Sequence, residues 1–419
     1  MVRCQAAPRS HVQERAPFRV VLLACAVGTT AVMLPSALVA RSFVFGAKSL
    51  HEARKLTTWQ THGTGLLARP ALGDLSGSHL KSLAEVTTLS IDTGDLDVIK
   101  DWAATGLISD ATTNPLFVSQ AGMSGDPRYV AFVGEAIAYA KKHGADLVEE
   151  DRINLAIDRL SVNLGREIAG LVPGYISTEV DIRESFDINE SVRRARRIIA
   201  MYEELGVPRS RVLIKLAATW EGIKAAEILE QEGITCNLTL VFGFAQAVAC
   251  AQAKVRLISP FPGRILDWHK LNGGQPTYEP TEDPGVVTVR RIYNYYKKYG
   301  HEGTICMPAS WRPSRGKGYD TDELVALAGV DRMTIGPPLL EKLAATKEPL
   351  PRLLTPEAAA ASCEDDEVCG GAITEKDFRM LMTADECATS KLAEGINSFV
   401  SETEKLRANP LSSQFDTHG

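Results

Sequence analysis

The feature that most narrows the possible folds is an alternation repeated eight times: a short apolar or β-branched run, then a longer stretch whose apolar residues recur with helical spacing. The strand-like runs are 87–93, 109–114, 175–181, 211–217, 234–242, 255–261, 304–310 and 332–337. Between them, 188–205, 219–231 and 285–299 read as helices, and the first carries a full stop signal, Gly206 at its end and Pro208 two residues on. Strands separated by helices join as parallel crossovers. Eight such units without a break in composition predict one closed α/β (β/α)8 (TIM) barrel over 77–408, because closure removes the edges that an open sheet must protect. An open doubly wound sheet shares the pattern, but no GxGxxG follows the first strand and no GxxxxGK[ST] occurs, so a nucleotide cradle lacks its usual support. The C-terminal stretch 377–407 is helical in period and is expected to pack outside the barrel, with 409–419 as a tail.

Ahead of the barrel the composition changes. Arg3, Arg9, Arg15 and Arg19 stand against the single acid Glu14, and an uncharged apolar run follows over 20–40. Basic then apolar is the order of a signal peptide, assigned to 1–40 with cleavage near Ala40. A permanent membrane anchor is the rival, since the run is long enough to span a bilayer, although Gly28, Thr29, Thr30, Pro35 and Ser36 dilute it. Over 41–72, Arg41, Lys48, Arg54, Lys55 and Arg69 face only Glu52 among several Ser and Thr, which is transit-peptide composition; 41–76 is assigned to it. The tandem, with Phe43 just after the apolar run, resembles the bipartite presequences of algae whose plastids lie inside extra membranes. The expected destination is a plastid, with membrane contact only during targeting. Removing 1–72 takes away nine basic and two acidic side chains and moves the net charge from −6 to −13.

A hydrophobic fraction of 45% supports a large core rather than disorder, and the acidic balance leaves no electrostatic footprint for nucleic acid. The eight cysteines form no CxxC pair and no Cys/His zinc spacing, so no metal site is expected. They read as reduced structural residues, with Cys363 and Cys369 as candidates for a regulatory disulfide.

Barrel strands should be Val, Ile and Leu, so polar residues late in strands need a reason, and barrel enzymes keep their chemistry at those ends. Asp92, Asn114, Glu179, Lys215, Asn237, Thr239, Ser259 and Ser310 all occupy such positions. Lys215 sits among Val212, Leu213, Ile214, Leu216, Ala217 and Ala218. Stripping water from an amine there favours the neutral form, which attacks a ketone to give an imine. Glu179 on the adjacent strand is the natural acid/base, and Asp92 is a second carboxylate at the same rim. Arg264 and Arg312 follow the sixth and seventh strands and make a fork for an anion such as phosphate. Each residue alone has a blander reading: a snorkelling lysine, a helix cap at Asp92, a turn at Asn114 before Pro115, satisfied core groups at Asn237 and Thr239. Their conjunction at one rim favours catalysis. His269 reads as a packing or surface residue.

These same residues lie in stretches that resemble the transaldolase family in order: Asp92-Thr-Gly, Asp110-Ala-Thr-Thr-Asn-Pro115, Ser177-Thr-Glu-Val-Asp181, Ile214-Lys-Leu-Ala-Ala-Thr-Trp220, Cys236-Asn-Leu-Thr-Leu240, and Ser259-Pro-Phe261 with Gly263-Arg-Ile265. The resemblance implies that Lys215 forms a Schiff base with a ketose phosphate such as fructose 6-phosphate or sedoheptulose 7-phosphate. It implies that Asp92 takes the C4 hydroxyl proton, and that Glu179 with Thr239 positions a water. Asn114 and Asn237 would hold the intermediate, Ser259, Arg264, Ser310 and Arg312 the phosphate, and Phe261 would line the pocket. It further implies a homodimer and no cofactor. The seventh-strand segment Met307-Pro-Ala-Ser-Trp-Arg-Pro313 departs from the family, which more often has a small residue for Pro308, Phe for Trp311 and Asn for Pro313. The rival activities are a Schiff-base fructose 6-phosphate aldolase and a catalytically silent barrel with a binding role.

Overall fold

The structure, a computed structural model, describes residues 73–365 and 372–408. The presequence assignments up to residue 72, Cys369 and the tail 409–419 lie outside the described residues. In chain order the elements are α1 His79–Val86, β1 Thr88–Asp92, α2 Leu96–Ala103, β2 Ile108–Thr112, α3 Pro115–Gly122, α4 Pro127–His143, α5 Glu149–Leu171, β3 Ile176–Glu179, α6 Ile188–Glu204, β4 Val212–Ala217, α7 Trp220–Gln231 and β5 Cys236–Val241. They continue with α8 Phe244–Gln252, β6 Leu257–Pro260, α9 Pro262–Leu271, α10 Pro284–Lys298, β7 Ile305–Cys306, α11 Asp322–Ala326, β8 Arg332–Ile335, α12 Pro337–Ala345, α13 Pro356–Ala361, α14 Glu375–Ala384 and α15 Glu386–Leu406.

The eight strands are parallel, sequence neighbours from β1 to β7 pair, and β1 also pairs with β8, as a (β/α)8 barrel requires. At the remaining seam Thr334 N donates to Pro308 O (3.2 Å) and Trp311 Nε1 to Thr334 O (2.7 Å). The two faces of β4 show how the sequence sorts itself. Leu213 packs with Leu257 and Met307 in a small inner cluster, whereas Val212, Ile214 and Leu216 join the large cluster under the helices. That is the period-two alternation of a strand.

One strand is shorter than the sequence reading and another carries an irregularity, each for a local reason. The run 304–310 shrinks to β7, because Pro308 has no N–H for a ladder and Ser310 turns through φ 62°. In β5 the register slips between Leu238 and Val241, where Leu240 adopts φ 57°. Helix starts follow their caps: Asn114, Asp187, Thr219 and Asp283 each accept first-turn N–H groups.

The C-terminal helix corrects the expectation that it lies outside the barrel. α15 packs against α3, α9, β5 and the short turn Ile182–Glu184, all at the ends where strands finish, so it crosses the barrel mouth. Two glycines let it seat: a Cβ on Gly395 would lie 2.7 Å from Leu240 Cδ2, and one on Gly122 would clash with Leu406 of the helix.

Candidate active site

Register builds the site. Glu179 pairs with Lys215 and Lys215 with Asn237, so three consecutive strands point these side chains into the barrel at one level, above Leu213 and Leu257. Lys215 is 5% exposed; its Nζ donates to Thr113 O at 3.2 Å and stands 3.2 Å from Glu179 Oε2. The Glu179 carboxylate meets Lys215 as an ion pair, and no described group donates an aligned hydrogen bond to it. Burial pushes the Glu179 carboxyl above the ordinary range although the Lys215 charge opposes this. Asp92 is likewise pushed up by burial, against the pull of Lys215, of the Thr112 hydroxyl that donates to Oδ1 at 2.7 Å, and of Arg264. Thr239 is fully buried with no partner for Oγ1 among the described residues. Asn237 is satisfied: its Nδ2 donates to Ser177 Oγ (3.2 Å) and its Oδ1 accepts from Ser259 Oγ (2.8 Å).

Opposite the lysine lies a cationic corner. Arg264 Nε donates to Ser310 Oγ at 3.3 Å, with its guanidinium 5.1 Å from the Phe261 ring centre. Burial, then the nearby Arg312 charge, make Arg264 less basic than usual. Arg312 points its Nε at Asp267 (3.3 Å) and its backbone N–H at Glu323 Oε2 (2.9 Å). The close approach depends on Gly263, where a Cβ would lie 2.3 Å from Ser310 O and 2.6 Å from Arg312 N. Trp311 is buried and its indole N–H reaches β8, a strut across the seam.

The candidate residues therefore converge, with one qualification: Asn114 Oδ1 caps α3, accepting from Leu116 N (2.9 Å) and Phe117 N (3.2 Å), which is the turn reading of that residue. His269 lies in α9 with its ring edge-on to Trp268. Sequence reasoning missed Phe399 of α15, whose ring centre is 6.0 Å from both Lys215 Nζ and the Arg264 guanidinium. It also missed Thr112 and Ser177, which tie down Asp92 and Asn237; both occur in the quoted motifs, but Thr and Ser are ordinary in strands.

A buried lysine ion-paired to a carboxylate at the C-terminal rim of a (β/α)8 barrel, with two guanidiniums beside it, defines the class of Schiff-base aldol enzymes. A family model described as Transaldolase/Fructose-6-phosphate aldolase matches residues 89–409, and the chain belongs to that family. Among its relatives, a transaldolase of Alteromonas mediterranea is 47% identical over 331 residues, 79% of this chain and 97% of that protein. One of Marinomonas sp. is 50% identical over 78% of this chain and 96% of its own length. One of Methylobacillus flagellatus is 49% identical over 77% and 95%.

Proposed function

We propose that this chain is a transaldolase that moves a dihydroxyacetone unit between sugar phosphates, converting sedoheptulose 7-phosphate and glyceraldehyde 3-phosphate to erythrose 4-phosphate and fructose 6-phosphate, reversibly. The observation that carries the reading is the buried Lys215–Glu179 pair at 3.2 Å. Transfer of a proton from the ammonium to Glu179 frees an amine that adds to the ketose C2 carbonyl; loss of water gives the imine. Asp92 takes the C4 hydroxyl proton as the C3–C4 bond breaks, the aldose leaves, and the electron pair stays conjugated with the imine on Lys215. The acceptor aldehyde adds to that carbon, and water held by Glu179 and by the Thr239 hydroxyl, which has no partner among the described residues, releases the new ketose. Asn237 and the Asn114 carboxamide hold the intermediate. Ser259, Ser310, Arg264 and Arg312 bind phosphate, with Phe261 lining the pocket.

Product analysis tests this with the full chain given fructose 6-phosphate, with and without erythrose 4-phosphate, beside Lys215→Ala. Sedoheptulose 7-phosphate formed only with acceptor, and lost in the variant, is the expected result. Free dihydroxyacetone without acceptor would make the chain an aldolase, and no product from folded protein would make it a silent barrel. The relatives leave about a fifth of the chain uncovered, and residues 1–76 are proposed to address the enzyme to a plastid. A fluorescent reporter fused behind them that stays in the secretory pathway defeats this. The working form is proposed to be a homodimer, which light scattering of the purified protein checks.

A further inference from the structure

The loop between β7 and α11 carries Ser310 and Arg312; of two buried carboxyls with no part in the proposed chemistry, Glu323 holds its backbone and Asp283 stands behind Glu323. Glu323, in the first turn of α11, is 1% exposed, and its Oε2 accepts the Arg312 N–H at 2.9 Å. Asp283 caps α10 and is fully buried; its Oδ1 accepts from Gly285 N (2.7 Å) and Val286 N (3.1 Å). The second oxygens, Asp283 Oδ2 and Glu323 Oε1, receive no donor from any described residue, yet the two carboxyls are within hydrogen-bonding reach of each other. Two carboxylates so placed would repel each other out of water. One proton between them removes the repulsion and satisfies both oxygens at once.

The surrounding charges are few. Arg312 from the loop and Lys270 from α9 act on the pair by their fields. Arg312 turns its guanidinium to Asp267, and Lys270 Nζ donates to Pro313 O (3.2 Å) and Ser314 O (3.1 Å). Burial outweighs both cations and pushes both carboxyls above the ordinary range, Glu323 further still through its neighbour Asp283. The first turns of α9 and α10 are pressed together, since a Cβ on Gly285 would lie 2.1 Å from Pro262 O. The pair thus sits where α10, α11, the loop and the helix bearing Arg264 meet.

We propose that Asp283 and Glu323 share one proton and act as positioning residues for the phosphate end of the substrate. The proton fixes Glu323, Glu323 fixes the Arg312 backbone, and the loop then presents Ser310 and Arg312 beside Arg264. This rests on the reading that these three residues bind phosphate. Loss of the shared proton leaves two repelling carboxylates and releases the loop, so affinity for the phosphorylated ketose falls on the alkaline side.

The test is steady-state kinetics of the full chain with fructose 6-phosphate and erythrose 4-phosphate from about pH 6 to about pH 10, with melting curves run in parallel. In the parent protein KM for fructose 6-phosphate rises on the alkaline limb while kcat changes less. Glu323→Gln keeps both bonds, its amide N–H donating to Asp283 and its carbonyl accepting from Arg312, so KM stays near the parent value and loses the alkaline rise. Asp283→Asn, which can still cap α10, behaves the same way. Glu323→Leu raises KM about tenfold at neutral pH, the loss of one hydrogen bond to a charge-sharing group. A Glu323→Gln protein whose KM rises as far as that of Glu323→Leu, or a parent KM flat across the alkaline range, overturns the shared proton. Arg312→Ala separates the two readings: if it leaves KM unchanged, the phosphate assignment itself fails, and the positioning role falls with it.

Discussion

A buried hydroxyl without a partner costs a fold about 1–3 kcal/mol, and Thr239 Oγ1 has none among the described residues, in a strand whose other polar side chain, Asn237, is satisfied. Packing alone would favour valine there, of nearly the same shape. Thr239→Val is therefore expected to hold or raise the melting temperature while lowering kcat about a hundredfold, the low end for a group that helps proton transfer to a reacting water. A lower melting temperature with normal kcat would return Thr239 to the core. The two carboxyls make a companion prediction. Burial raises both Asp92 and Glu179, so each loses its charge at a higher pH than an exposed carboxyl. With Asp92 in its proposed role as a base, kcat/KM should begin to fall on the acid side above the ordinary carboxylate range of about 4. Asp92→Asn should lower kcat by about 10²–10⁴. A pH–rate profile that stays level down to that range contradicts the assignment. At this scale much was legible: a lysine amid six apolar neighbours and a glutamate one strand away announce themselves. Asn114 was ambiguous because a capping oxygen and a substrate contact look alike before a proline, and only coordinates show Oδ1 turned to Leu116 and Phe117.

Among the elements, α15 shows what a sequence pattern leaves open. Its buried residues Ala388, Lys391, Gly395, Phe399, Thr403 and Leu406 recur at helical spacing, so an amphipathic helix was readable, but the surface it covers was not. Two contacts decide it, Gly395 against the strained Leu240 and Leu406 over Gly122, and neither partner is near in sequence. The result is an aromatic face, Phe399, between the lysine and the cationic corner at Arg264. Phe399→Ala should cost roughly 3 kcal/mol of stability as a large buried ring is removed. It should also raise KM for fructose 6-phosphate, because Arg264 loses one of the two rings near it. Phe399→Tyr, which keeps the ring, should keep KM. Equal KM values for the alanine variant and the parent would make the helix a structural cover only. The strands were legible wherever β-branched content was high. The run 304–310 was read too long at β7, where Pro308 interrupts the ladder, whereas β5 was legible to within two residues and only the left-handed turn at Leu240 was not.

For the whole molecule, burial of charge near the barrel mouth couples the site to stability, and the sign differs from group to group. Burial alone would raise Asp181, but the Arg183 hydrogen bond and the Arg194 and Arg183 charges outweigh it and hold this carboxyl low. Its contribution is present above the unfolded value and disappears as pH falls through the folded one. Arg194 joins it to Asp158 (2.8 Å) and Glu184 (2.9 Å) inside the protein, so Arg194→Leu, which strands buried carboxylates, should destabilise by roughly 3–5 kcal/mol. The Asp283–Glu323 pair works in the opposite sense. Both carboxyls are raised by burial, so the folded chain holds a proton that the unfolded chain has released, and stability declines as pH climbs from the unfolded value towards the folded one. Glu323→Gln removes that proton uptake while keeping the hydrogen bonds. Relative to the parent, the variant should gain about 1.4 kcal/mol for each pH unit across that window. Denaturant midpoints measured near the unfolded carboxyl value of about 4.5 should coincide for the two proteins, and at neutral pH the variant should be the more stable. Parallel curves at both values would mean that the pair takes up no proton on folding, and that Asp283 and Glu323 are buried as two charges.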